Sequence, residues 1–185
     1  MKARCFALAS VLVSAAACSA TPPAHWAQGG AILDIPKARW VVGPTVVDVS
    51  PNGSVLVNGE LELSVDRGGR VVDQDREPVA LLEPDGKVVG PDAEPLGTVG
   101  AMHAARPGED HAWLSLAPSG EVLIYDDEGE RALAGVWIGC NVSPRAHQTC
   151  TLLTHLLAMK MKALAERREP GVGIGIGVGV GIPIR

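Results

Sequence analysis

Between Ala38 and Gly139 the apolar positions come in short runs, each cut by a turn signal. Four times a pair of Val/Leu/Ile-rich runs straddles such a signal: VVDVS-PNG-SVLV, LELSV-DRGG-RVVD, VALL-EPDG-KVVG and WLSLA-PSG-EVLIY. Short apolar runs bounded by Gly, Pro, Asn and Asp predict strands joined in hairpins. The closing glycines are Gly53, Gly69, Gly86 and Gly120, spaced by 16, 17 and 34 residues, and 34 is twice 17. Glycine suits the positive φ of tight hairpin turns. The spacing is therefore an internal repeat of one hairpin per about 17 residues. The unit due near position 103 reads AMHAARPGEDH, which predicts a longer loop. Pro78 and Pro95 fall where strands start, so their missing N–H costs the ladder little. The pattern predicts a mainly β domain over residues 38–139. Its expected form is an antiparallel β-meander of about eight strands, closed or nearly closed into one sheet.

After Gly139 the period changes. CNVSPRAHQTC leads into a stretch in which Leu153, Leu157, Met161 and Leu164 share one stripe, with Leu152 and Leu156 beside it. This predicts a single C-terminal α-helix running to about Arg168, capped by Thr149 or Thr151 and packed by that stripe on the β body. Residues 140–169 are thus read as a loop and a packed helix. Residues 170–185 form a separate tail, in which glycine alternates with Val or Ile from Gly171 to Ile182. As a strand it would show aliphatic side chains on one face and bare backbone on the other. Such a strand would add to a sheet edge or pair with a copy of itself.

The amino terminus has a different character. Lys2 and Arg4 precede an apolar stretch from Phe6 to Val13, followed by Ser14, Ala15, Ala16, Ala17 and Cys18. The apolar stretch falls well short of the roughly 20 residues that span a bilayer, so residues 1–17 read as an export signal. Small residues immediately before a cysteine resemble the lipobox of bacterial lipoproteins. The resemblance implies diacylglycerol attachment and acylation at Cys18, which becomes the first residue of the mature chain. Ala15 stands where that family most often has leucine, so simple secretion is the competing reading. The absence of aspartate after Cys18 implies, by the same resemblance, transfer to an outer membrane. Residues 18–37, with Pro22, Pro23, Gly29 and Gly30, read as a flexible tether. Within the body, GRVVDQDREPVALLEPDGKVVGPDAEPLGTV also resembles bacterial β-meander repeat modules of the β-flower kind, a resemblance that implies a fold without an activity.

Composition narrows the function. The chain carries 16 basic and 21 acidic residues, and residues 41–139 alone sum to −12 from 18 acidic and 6 basic side chains. An acidic body argues against nucleic acid as a partner. Of the four cysteines, Cys5 leaves with the signal and Cys18 takes the lipid, so Cys140 and Cys150 remain as a pair. In an oxidising compartment such a pair predicts a disulfide.

Catalytic signatures are thin. Ser115, Ser119 and Ser143 lack a nucleophile elbow, and His103, Asp110 and His111 share only a polar loop. Asp73 with Asp75, and Asp126 with Asp127 and Glu128, lack the spacing of a calcium loop and read as turn acids. Trp40, Trp113 and Trp137 read as core aromatics, each needing a partner for its indole N–H. The expected protein is a non-enzymatic cell-envelope lipoprotein without a cofactor. Its partners are the membrane, through the lipid anchor, and an envelope protein or a second copy engaged by residues 171–185. The alternative is an envelope metal-binding protein using Cys140, His147, Cys150 and His155.

Overall fold

The computed structural model describes residues 21–126 and 128–168. Twelve antiparallel strands form one closed barrel. In chain order they are β1 (Ala38–Val42), β2 (Thr45–Val49), β3 (Ser54–Val57), β4 (Glu60–Val65), β5 (Arg70–Asp73), β6 (Pro78–Leu82), β7 (Lys87–Val89), β8 (Pro95–Val99), β9 (His103–Ala105), β10 (Leu114–Leu116), β11 (Glu121–Tyr125) and β12 (Arg131–Ile138). Each strand pairs with its neighbours in sequence, and β12 returns to β1 with Trp40 opposite Trp137. The fold is therefore mainly β, a meander of hairpins with one C-terminal helix, α1 (Pro144–Arg168).

The meander has twelve strands where the sequence pattern predicts about eight. The four glycine-closed hairpins supply β2–β3, β4–β5, β6–β7 and β10–β11. The additional strands are β1 and β12, which close the barrel, and the hairpin β8–β9. That hairpin is the repeat unit expected as a loop near position 103.

Backbone hydrogen bonding shows why it persists. In each glycine-closed hairpin the glycine carbonyl accepts the N–H of a residue on or at the end of a following strand. The pairs are Val65 to Gly53, Leu82 to Gly69, Val99 to Gly86 and Trp137 to Gly120. In the degraded unit the N–H of Leu116 reaches the carbonyl of Met102 at 2.8 Å in the same way. Backbone geometry thus carries the repeat through a position where glycine is lost. The four closing glycines have φ between 74° and 94°, a region that side chains with a Cβ avoid. At Gly53 and Gly120 a Cβ would also overlap the carbonyl oxygens of Val65 and Trp137.

These turns share one end of the barrel, called here the lower rim. The upper rim holds the other connections, among them residues 58–59, 74–77, 90–94 and 126–130. Asp73 and Asp126 each fold back on their own turns. Asp73 Oδ1 accepts the N–H groups of Asp75 and Glu77, and Asp126 Oδ1 those of Glu128 and Glu130. The turn acids are Asx-type braces, as residues of this kind commonly are in tight turns.

A barrel of about eight strands can be filled by side chains alone, and a larger one leaves a lumen. Here α1 fills it. From Thr149 to Ala158 every residue is buried, almost three full turns with no exposed face. Partners lie all round: Trp137 of β12 bonds Thr154, Leu96 of β8 bonds His155, and Thr45, Val47 and Val57 line a cleft with Leu157. The helix therefore threads the barrel instead of packing on its outside by one stripe. It also begins earlier than the threonines suggest. Ser143 caps it through its Oγ, 3.0 Å from the Ala146 N–H, and Pro144 takes the first helical position. Thr149 and Thr151 lie inside the helix.

Residues 21–37, expected as a flexible tether, are laid on the barrel over their described length. Thr21 and Asp92 exchange two hydrogen bonds at the upper rim, Asp92 N–H to Thr21 O and Thr21 N–H to Asp92 Oδ1. Arg70, at the lower end of β5, donates to the carbonyls of Trp26 and Ala27. Ala31 bonds Leu82, Leu33 is buried in the core, and the Asp34 carbonyl accepts from Thr149. The segment thus descends the outer wall and closes the lower rim beneath the start of α1. Residues 1–17, read from the sequence as an export signal, Cys18 and the tail at 170–185 lie outside the described residues.

Candidate functional site at the upper rim

Cys140 and Cys150 are joined in a disulfide, with Cα atoms 6.1 Å apart. Cys140 follows β12 and Cys150 sits in the second turn of α1, so the bond ties the barrel wall to the plug at the lower rim. The two histidines of the Cys/His cluster are also engaged. His147 Nε2 lies 3.0 Å from the Leu116 carbonyl. His155 Nδ1 accepts the Trp113 indole N–H at 2.9 Å, which requires its proton on Nε2, where it donates to Leu96 O at 2.6 Å. Burial holds this imidazole below its ordinary pKa, partly offset by the Leu96 bond. The four residues do not form a ligand set, and among the described residues no group of three or more His, Cys, Asp or Glu could hold a metal.

All three barrel tryptophans find partners in the lumen. Trp40 donates to the Ala134 carbonyl, Trp113 to His155 and Trp137 to Thr154 Oγ1. The Thr154 hydroxyl in turn donates to the Cys150 carbonyl. Trp40 stacks on Trp137 with ring centroids 5.8 Å apart. The Trp113 and Trp137 bonds hold the plug in register and the Trp40 bond ties β1 to β12, since a buried donor left unpaired costs about 1–3 kcal/mol.

The loop carrying His111 lies at the upper rim, while His103 starts β9 beside the lower-rim turn at 100–102. The ladder places His103 opposite Ser115, away from Asp110 and His111. Ser115 itself bonds the Tyr125 hydroxyl at 3.1 Å, and Ser143 Oγ bonds Asp34 and caps the helix. Ser115 shares its face of the ladder with His103, but its hydroxyl is engaged with Tyr125 and not with that imidazole.

Clefts open at both ends of the barrel, the lower-rim ones beside residues 118–120, 139–141 and 50–51, and those at the upper rim gather where α1 leaves the barrel. Three clefts surround its departing end. One, of about 390 Å³, lies between Trp113, Ile124 and Ala158 and is edged by Arg106, Asp126, Arg131 and Lys162. The Arg106 guanidinium sits 4.9 Å from the Trp113 ring centroid and 3.5 Å from a Glu109 oxygen. A second, of about 220 Å³, is floored by Trp40, Val47, Val57 and Leu157, with Lys160 paired to Glu62 at its edge. A third, of about 280 Å³, is lined by Leu63, Val79, Leu96 and Leu156 beneath Asp73 and Glu94. The mouth therefore has an apolar floor and a charged border, suited to noncovalent binding of a partly apolar group.

The sequence marks Trp40, Trp113, Leu156, Leu157 and Met161 as packing residues and Asp73 and Asp126 as turn acids, and nothing in it joins them into one mouth. Its floor residues come from seven strands, from Trp113 before β10 and from α1, and only the closed barrel brings them to one helix end. The paired charges gave no signal either, because Lys160 and Glu62 lie 98 residues apart. Comparison of the chain with family models, with curated proteins and with solved structures finds no match.

Proposed function

We propose that this chain is an exported cell-envelope lipoprotein, acylated on Cys18, whose plugged barrel has a binding or assembly role and no catalytic one. The observation that carries the reading is the segment before Cys18, with its basic start, short apolar stretch and run of small residues. The disulfide between Cys140 and Cys150 supports an oxidising compartment. The strands have three to eight residues, short of the about 9–11 that cross a bilayer as a barrel, so an acyl chain is the route to the membrane that the design favours.

The binding role is supported by the way the polar core is used. Its indoles, imidazoles and threonines brace the plug, while the upper-rim mouth offers shape, apolar floor and charge. Metabolic labelling with palmitate tests the anchor: the native chain takes up label and a Cys18→Ala variant takes up none. Label in both, or in neither, contradicts acylation at this cysteine.

A further inference from the structure

We propose that the barrel stands end-on to the membrane with its upper rim toward the lipid, leaving the disulfide-closed lower rim facing the aqueous compartment. The proposal rests on the lipoprotein reading above and adds the orientation that the fold imposes on it.

Thr21 is held at the upper rim by its two hydrogen bonds with Asp92. Only Ser19 and Ala20 separate Cys18 from Thr21 in sequence, so the Cys18 Cα lies within about 11 Å of the Thr21 Cα along even a fully extended chain. An anchor that short cannot bring the lower rim to the bilayer while the descending segment 21–37 stays bonded to Arg70, Leu82 and Thr149. The helix leaves by the same end, as the pairing of Lys160 with Glu62 and the cleft shared by Lys162 and Asp126 show. The described end of α1 therefore lies at the anchored rim as well, and from Gly171 to Ile184 the sequence beyond it carries no charge. The apolar-floored mouth then addresses the lipid. Carboxylates on this rim, among them Glu60, Asp75, Glu77, Asp92 and Glu94, favour a zwitterionic lipid surface over an anionic one.

The test uses acylated protein in phosphatidylcholine vesicles containing a lipid with a nitroxide on its headgroup. Gln74→Cys labels an exposed upper-rim turn and Arg67→Cys an exposed lower-rim turn, each with a thiol-reactive fluorophore. The native cysteines of the mature chain do not compete, being acylated or in the disulfide. Quenching at 74 with none at 67 is the expected result. Equal quenching, or quenching at 67 alone, overturns the orientation while leaving the lipoprotein reading intact. A mass showing no acyl group overturns that reading and this proposal with it. Asp75→Cys and Ser119→Cys form a second pair at the same two rims, should either first variant fail to fold.

Discussion

His155 is the residue on which the plug most depends. Its two ring nitrogens join Trp113 on one side to Leu96 on the other, and only the Nε2-protonated neutral ring satisfies both. A second proton would face the indole N–H, donor against donor. The imidazole therefore binds a proton more weakly in the folded protein than in the unfolded chain. Its contribution to stability is complete above the ordinary value of 6.5 and is lost progressively as pH falls below it. Urea unfolding at a series of pH values should show this decline, at up to about 1.4 kcal/mol per pH unit for one group. A His155→Leu variant should lose about 1–3 kcal/mol, with most of that acid dependence gone. The need of each indole for a partner was legible in the sequence, but the partners were not. They lie 17 to 94 residues away, at distances that no local pattern encodes.

At the scale of the elements, the closing glycines and the helix carry the argument. Gly53→Ala and Gly120→Ala should each cost more than the roughly 1 kcal/mol of a strained φ alone, because the added carbon meets a carbonyl of a neighbouring strand. Gly43→Ala, at φ 54° with open space around it, should cost only the conformational part. Thermal or urea unfolding of the three variants separates the two effects. Eight strands were legible because a turn glycine marked each of their hairpins. β8 was legible only in its start at Pro95, and β9 was not legible, since Met102 stands where the glycine is lost and the repeat survives only in the backbone bond to Leu116.

The helix was legible as a helix and illegible as a plug. The sequence suggests Thr149 or Thr151 as a cap and His155 as a candidate ligand, with packing by a single leucine stripe. In the barrel the hydroxyls of Thr149, Thr151 and Thr154 and the ring nitrogens of His155 meet the carbonyls of Asp34, Ala101 and Leu96 and the indoles of Trp113 and Trp137. A polar face can be an inner face when carbonyls surround it. Reducing the Cys140–Cys150 bond frees the lower end of the plug and should lower stability by about 2–3 kcal/mol, read from urea midpoints with and without reductant.

At the scale of the whole molecule, closure decides what the parts can do. The barrel leaves no free strand edge among the described residues, so the Gly/Val/Ile tail has no edge of its own sheet to join. Its pairing with a second copy stands as the self-association route, and removing residues 171–185 should then reduce any oligomer seen by light scattering. An unchanged oligomeric state would dispose of that route. Closure was half legible: a meander of repeated hairpins suggests a sheet curling on itself, but the β12–β1 pairing lies between the two ends of the domain. The upper-rim mouth depends wholly on that closure.

The most direct measurement is the intact mass of the protein taken from a membrane fraction, before and after reduction. The expected result is a chain beginning at an acylated Cys18 that gains two hydrogens on reduction, from Cys140 and Cys150. An unacylated chain whose mass does not change on reduction would contradict both the anchor and the latched plug.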